Sequence, residues 1–277
     1  MSSGDSRPIA IMAVVLSLAD DELVRAMQAV KALQQAPDLT GWTALGAMAQ
    51  DGLGHALAYY RILAEFGSDT PDQLAWLRPI RERRNTVLWE LPATGYGPDQ
   101  VVRQYIYDVW DSVRLAGLAT SAFLPLAERA ASLQREVGYR LLQDERLLNE
   151  WATDHEGIKT LKTSIAHWLS WAGDVTRPPA PPEILEETGI WPGVLATEGQ
   201  WQRQLLRFLS PYGITEVSAT CPANGREGQH THYLEPMLEE WSNGYREIWP
   251  RRGADDRERR GYFRRVTAST GSGNPHA

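Results

Sequence analysis

Apolar residues recur at three- and four-residue spacing along most of the chain, and no stretch shows the alternating β-branched pattern of a strand. This periodicity predicts helices over residues 8–35, 40–66, 71–90, 98–119, 122–151, 154–172, 181–189, 198–209 and 231–248. The same segments are rich in Ala, Leu, Gln, Glu and Arg, which lose little freedom on entering a helix. Breaks fall at Ala36-Pro37-Asp38, at Gly67-Ser68-Asp69-Thr70-Pro71 and between Pro92 and Pro98. The expected fold class is all-α, a bundle of long helices. The run Arg177-Pro178-Pro179-Ala180-Pro181-Pro182 is dense in proline, yet too few apolar residues follow it to build a second core. Residues 8–250 therefore read as a single domain, with that run as a surface crossing. Residues 251–277 differ in kind: seven Arg stand against three acids, followed by small polar residues, the composition of a solvated, disordered tail.

The first helix imitates a secretory signal, because Arg7 precedes the apolar run Ile9–Ala19 and Ser17 and Ala19 make a passable cleavage site. The run is shorter than the roughly 20 residues that cross a bilayer. Its amphipathic pattern also continues through Asp20-Asp21-Glu22 into Leu23, Met27, Val30 and Leu33. A long buried helix is the expectation, with Ser6 as N-cap and Pro8 in its first turn.

At about 100° per residue, the second helix from Trp42 to Leu63 is apolar nearly all round, which predicts a central position. Asp51 and His55, four residues apart, would then be buried and must be partnered, since an unpaired buried charge costs several kcal/mol. They read either as metal ligands or, the blander and favoured choice, as a mutually satisfied core pair. Gly46, Gly52 and Gly54 in the same helix point to close approach of a neighbouring helix.

Composition narrows the function classes. One cysteine, Cys221, excludes an internal disulfide and a Cys-rich zinc module and suits a reducing, cytoplasmic setting. A net charge of −7 argues against nucleic acid as the main partner, and no segment is apolar enough to suggest a membrane span. With 11 Trp, 10 Tyr and 4 Phe, the chain carries a real core. Trp110, Trp241 and Trp249 would mark a protein–protein face if they lay outside it. No Gly-x-Ser-x-Gly elbow, phosphate-binding loop or dinucleotide fingerprint occurs. A lone Glu-x-x-His, Glu227 to His230, is flanked by Gly225 and Gly228 and reads as a turn. Asp108 shares a face with Leu115 and Ala119, suggesting partial burial, while Asp111 could cap or face solvent. Glu136 lies with Arg129, Arg140 and Gln143, which favours a surface ion-pair network.

Several runs, in order, resemble one family. They are Asn85-Thr86-Val87-Leu88-Trp89-Glu90-Leu91-Pro92, Gln104-Tyr105-Ile106-Tyr107-Asp108-Val109-Trp110, and Glu136-Val137-Gly138-Tyr139-Arg140-Leu141. The most specific is Gly225-Arg226-Glu227-Gly228-Gln229-His230-Thr231, leading into Tyr233-Leu234-Glu235. Over about residues 12–250 the chain resembles the phenylacetate-catabolic ferritin-like family, and within it the PaaC-type structural subunit. The resemblance implies a ferritin-like bundle with additional helices. It also implies a place in a multicomponent monooxygenase that epoxidises the ring of phenylacetyl-CoA. In such an enzyme a catalytic ferritin-like paralogue holds the di-iron centre and the thioester, and a separate reductase supplies electrons.

The likeness also implies which member this is. Gln50-Asp51-Gly52-Leu53-Gly54-His55 is similar to a catalytic Gln-Asp-Glu-Leu-Gly-His, with Gly52 in place of the ligand Glu. At the second motif Glu136 remains, but Tyr139 stands where His is expected. Each motif lacks one member, so the expectation is a degenerate site, no bound cofactor and a scaffold that pairs with the di-iron subunit in a homo- or hetero-oligomer. One feature runs the other way: Glu22, Asp51, His55, Asp108 and Glu136 could still gather one metal ion. The alternative is thus a divergent metal-dependent aryl-CoA oxygenase with a reduced ligand set.

Overall fold

The computed structural model describes residues 3–36, 38–67, 69–92 and 97–248. The Arg-rich stretch 251–277, Trp249, Pro37 and Ser68 lie outside the described residues. Two helical hairpins form the centre. The first joins α1 (Ser3–Leu33) to α2 (Leu39–Ala64); the second joins α4 (Pro98–Leu118) to α5 (Leu124–Trp151). Short loops make each pair neighbours in space, and the long crossover from 65 to 97 connects the hairpins, with α3 (Pro71–Trp76) inside it. Then come α6 (His155–Leu169), α7 (Pro182–Glu187), α8 (Thr197–Leu209) and α9 (Leu234–Ile248), with α6 and α8 packed on α4. Among the described residues there is no strand, and the architecture is an all-α, ferritin-like bundle with additional helices. No described helix is long and apolar enough to cross a membrane.

Helix starts follow local chemistry. The Asp38 side chain accepts from Gly41 N at 2.8 Å and caps α2, and Asp154 does the same for α6 through Gly157 N at 2.8 Å. Thr70 and Gln73 cap each other's backbone at the start of α3. Helix α1 starts at Ser3, so Pro8 lies inside it rather than in its first turn.

Three expectations need correction. The pattern over 71–90 predicts one helix, but α3 stops at Trp76 and only 3-10 turns follow, at Ile80–Glu82 and Val87–Trp89. Pro79 disfavours helical backbone before it, and buried carboxylates then take the donors that helix carbonyls would have used. Arg84 N donates to Asp20 (2.8 Å), Thr86 N to Asp21 (2.7 Å) and Val87 N to Asp174 (2.9 Å).

Second, α2 is not the central helix. It buries a single stripe that includes Leu45, Ala49, Gly52, Ala56 and Leu63, and leaves Leu39, Trp42, Leu53 and Leu57 exposed. The central helices are α1, buried without interruption from Ala10 to Ala29, and α4, with sixteen of its 21 residues buried. Both carry charges that a hydrophobicity count assigns to the surface. Third, Trp110 and Trp241 form no exposed face. Trp110 is buried against Trp191, and the half-buried Trp241 stacks on Trp76 with centroids 6.3 Å apart.

Candidate functional site

Three consecutive acids in α1 organise the interior. Successive helix residues point about 100° apart, so burying Asp20, Asp21 and Glu22 together requires partners on three sides. Asp20 accepts from Tyr60 Oη (2.5 Å), from Arg78 and from Arg84 N. Burial alone would raise its pKa; the guanidinium charges of Arg78 and Arg83 outweigh that and hold it below the ordinary value. Asp21 accepts from Arg114 (2.7 Å), from both terminal nitrogens of Arg226 (2.8 and 2.9 Å), from Tyr107 Oη and from Thr86 N.

Glu22 faces the space between the hairpins. Arg25 donates to it at 2.6 Å, and His55 Nδ1 lies 3.5 Å away. Burial opposes ionisation here too, but Arg25 and then His55 hold the carboxyl well below the usual carboxylate range. The other ring nitrogen of His55 lies 3.1 Å from Glu136, which is exposed at the edge of α5. Asp108, fully buried, is taken by Arg140 through Nε (3.0 Å) and Nη2 (3.1 Å), with Gln104 at 2.7 Å. Arg140 Nη2 also reaches Asp111 at 3.1 Å, and Arg114 Nε binds Asp111 at 2.7 Å. Desolvation pushes Asp111 up despite Arg114, with the Glu22 and Asp108 charges adding to the rise. Asp144, also buried here, is raised well above normal by burial and then by Asp108.

The residues named from sequence therefore separate into groups. Glu22, His55 and Glu136 meet, and Asp108 lies in the adjoining network through Arg140. Asp51 is exposed, so the expected Asp51–His55 core pair does not form: Asp51 lies about 120° round α2 from the middle of its buried stripe, whereas His55, about 40° nearer, is buried. Tyr139 is 75% exposed and points away from the bundle centre. Glu136 joins no surface network with Arg140, because Arg140 turns inward. Asp111 is buried rather than capping or facing solvent.

A di-iron centre does not fit these residues. Its carboxylates are already engaged: guanidinium charge from Arg25 meets Glu22, and that from Arg140 meets Asp108 and Asp111. At Gly52 a Cβ would stand 3.0 Å from Ala26 Cβ and 3.1 Å from Glu22 O, so a ligand-bearing side chain there requires α1 to give by a few tenths of an ångström. Glu22 and Glu136 sit on opposite ring nitrogens of His55, so the imidazole separates them instead of converging with them on one point.

The glycine-flanked segment is a second centre. Gly225 lies so close to the chain that a Cβ would fall 2.0 Å from Asn85 O, and its N–H donates to Asp174 at 3.2 Å. Gly228 takes φ +80°, a left-handed conformation that favours glycine. Between them Arg226 reaches Asp21 and donates to Arg84 O at 2.7 Å. His230 Nδ1 pairs with Glu90 at 2.6 Å, and Thr231 N donates to the other Glu90 oxygen at 2.6 Å. The lone Glu227-x-x-His230 match is a turn, as its glycines predict. The segment thus clasps the crossover to α1.

The chain matches the family of phenylacetic acid catabolic proteins over residues 2–250. It belongs to that family. No curated protein is similar enough to count as a relative. Membership connects the chain to phenylacetic acid catabolism, a pathway in which the family takes part in multicomponent complexes. Within this family member, sequence reasoning missed Arg25, Arg140 and Arg114, which neutralise the central acids, and Asp21 as the partner of Arg226. One signal was available: Asp20-Asp21-Glu22 interrupts an otherwise apolar helix, where only internal cations can satisfy it.

Proposed function

We propose that the chain is a PaaC-type, non-catalytic structural subunit of a multicomponent phenylacetyl-CoA ring-epoxidising monooxygenase. It scaffolds a di-iron catalytic paralogue during aerobic phenylacetate degradation. The observation that carries this reading is the replacement of metal charge by guanidinium charge: Arg25 on Glu22, and Arg140 across Asp108 and Asp111. Ion pairs of this kind hold a bundle together without iron, but they leave no open coordination position for oxygen chemistry.

Two further features support a docking role. Leu39, Trp42, Leu53 and Leu57 recur on one outward face of α2, and α5 exposes Tyr139 and Leu142. Exposed apolar side chains that recur on one helix face are the kind of surface that association sites use. The test is metal analysis of the purified chain, alone and co-expressed with a ferritin-like chain that carries both Glu-x-x-His motifs intact. The expected result is a stable complex in which all the iron follows the partner. About two irons per isolated chain, the complement of a di-iron bundle, would overturn the scaffold reading and make this chain a divergent oxygenase.

A further inference from the structure

Helix α2 carries an outward ridge that its own chain leaves uncovered. At about 100° per residue, Leu39, Trp42, Gly46, Leu53 and Leu57 fall within about 60° of one another, on the side of α2 away from His55 and its contact with α5. Leu39 is 82% and Trp42 50% exposed, and Leu53 and Leu57 are each more than a third exposed. At Gly46 a Cβ would meet nothing within 4 Å, so the middle of the ridge is an open notch. Between the exposed Asp38 and the exposed Arg61 the ridge carries no charge. The outward face of α5 differs, with exposed Glu128, Arg135, Arg146 and Glu150 around its apolar residues. Permanent interfaces between copies of one chain are the more apolar kind, which singles out the α2 ridge.

We infer that two copies of this chain pair through their α2 ridges, packed antiparallel about a two-fold axis. The spacing is self-complementary. Asp38, Trp42 and Gly46 follow one another at four-residue steps, and so do Leu53, Leu57 and Arg61. Reversing the second copy sets its Leu53 into the Gly46 notch, its Leu57 against Trp42 and its Arg61 beside Asp38. The two-fold axis then repeats each contact, as an isologous interface requires. Asp38 caps α2 through one oxygen, and a carboxylate accepts at both. A parallel pair would instead face Arg61 with Arg61 and leave the notches opposite each other and unfilled. The pairing goes beyond the scaffold reading and does not rest on it, and it leaves the face of α5 to a different subunit.

The experiment is sedimentation velocity of the full chain over a concentration series, with melting at high dilution as a control for folding. A monomer–dimer equilibrium is expected. Gly46→Leu fills the notch: the separate chain has open space there and gains helix propensity, so it should melt no lower. The dimer, which needs that space for Leu53 of the second copy, should weaken by at least about tenfold. Leu53→Asp should weaken it similarly, and Arg61→Glu, which sets acid against Asp38, should weaken it more at low salt than at high salt. A chain that stays monomeric at every concentration would overturn the inference, as would a dimer indifferent to both Gly46→Leu and Leu53→Asp. A monomer that loses affinity for the di-iron subunit on Leu53→Asp would give the ridge to that subunit and overturn it too. None of these outcomes bears on the iron content that decides the scaffold reading. If Leu53→Asp fails to fold, Gly46→Leu decides.

Discussion

Asp21 and Arg226, 205 positions apart, meet through two near-parallel N–H···O bonds of 2.8 and 2.9 Å. Both side chains are buried, so the pair has exchanged hydration for each other and for Arg114, Tyr107, Thr86 N and Arg84 O. Removing one partner strands the other in a low-dielectric interior, which typically costs about 3–5 kcal/mol. Arg226→Met and Asp21→Asn should each lower unfolding free energy by that order in urea titrations. The double variant should lose clearly less than the two single losses combined. Additive losses would show that the pair is not energetically coupled.

That pair also marks the limit of what the amino-acid order discloses. Helix extents depend on neighbours three and four residues away, so the predicted 98–119 is close to the observed Pro98–Leu118. The partner of Asp21 is set by three-dimensional closure and leaves no periodic trace. The ranking of helices failed for a related reason. An all-round apolar pattern on α2 predicts burial, whereas its Leu53 and Leu57 face outward. The burial of α1 is legible in its apolar run, but the opposite charges that Asp20, Asp21 and Glu22 find inside are not. At the candidate site, Gly52 itself was legible, but the arginines that pair with Glu22, Asp108 and Asp111 were not. Arg140 lies one residue beyond the motif position held by Tyr139, and its inward turn follows from its place on α5 beside buried Val137 and Asp144.

Gly52 tests whether iron chemistry could be restored by a single change. Gly52→Glu returns a carboxylate to the motif, but its Cβ meets Ala26 and Glu22 O at 3.0 and 3.1 Å. Overpacking of that kind costs about 1–3 kcal/mol, and the new charge adds to it because Arg25 and Arg140 are already committed. The variant should melt lower and should bind no iron in metal analysis. Stoichiometric iron in a well-folded Gly52→Glu protein would show that the guanidiniums yield to metal.

His55 bridges Glu22 on α1 and Glu136 on α5, so it is expected to act as a structural pin. His55→Ala removes packing and both contacts, and should lower the melting temperature by several degrees. Turnover of the assembled complex should change little at temperatures where the variant is folded. Loss of activity with an unchanged melting temperature would instead identify a ligand or a catalytic group.

The outward apolar face of α2 can be tested without disturbing the core. Leu53 and Leu57 are 37% and 39% exposed, so Leu53→Asp and Leu57→Asp should leave the melting temperature nearly unchanged. If the catalytic subunit docks there, a buried Asp at the interface should weaken association by at least about tenfold. Binding measured by interferometry against the purified partner gives the answer. Full affinity in both variants would move the interface elsewhere.

Asp174 fixes the crossover to the clasp, accepting from Thr86 Oγ1 (2.6 Å), Val87 N (2.9 Å) and Gly225 N (3.2 Å). Burial pushes its pKa up from 3.8 to about 6, and Arg226 and these hydrogen bonds only partly offset the rise. Between those values the folded chain holds a proton that the unfolded chain has released. Its contribution is therefore complete below about pH 4 and is lost as pH rises through 6, a change of about 3 kcal/mol. Asp20 and Glu22, whose pKa values are depressed, act oppositely and withdraw stability as pH falls below their ordinary range. Total stability mixes the two, so the difference between the natural chain and Asp174→Asn is the informative quantity. The amide loses an acceptor to one of three donors, a cost that does not vary with pH. Measured by urea unfolding, the advantage of the natural chain should shrink by about 3 kcal/mol between pH 4 and 7 and stay level above that. A difference independent of pH would show that the Asp174 carboxyl ionises at its ordinary value, with its three donors fully offsetting its burial.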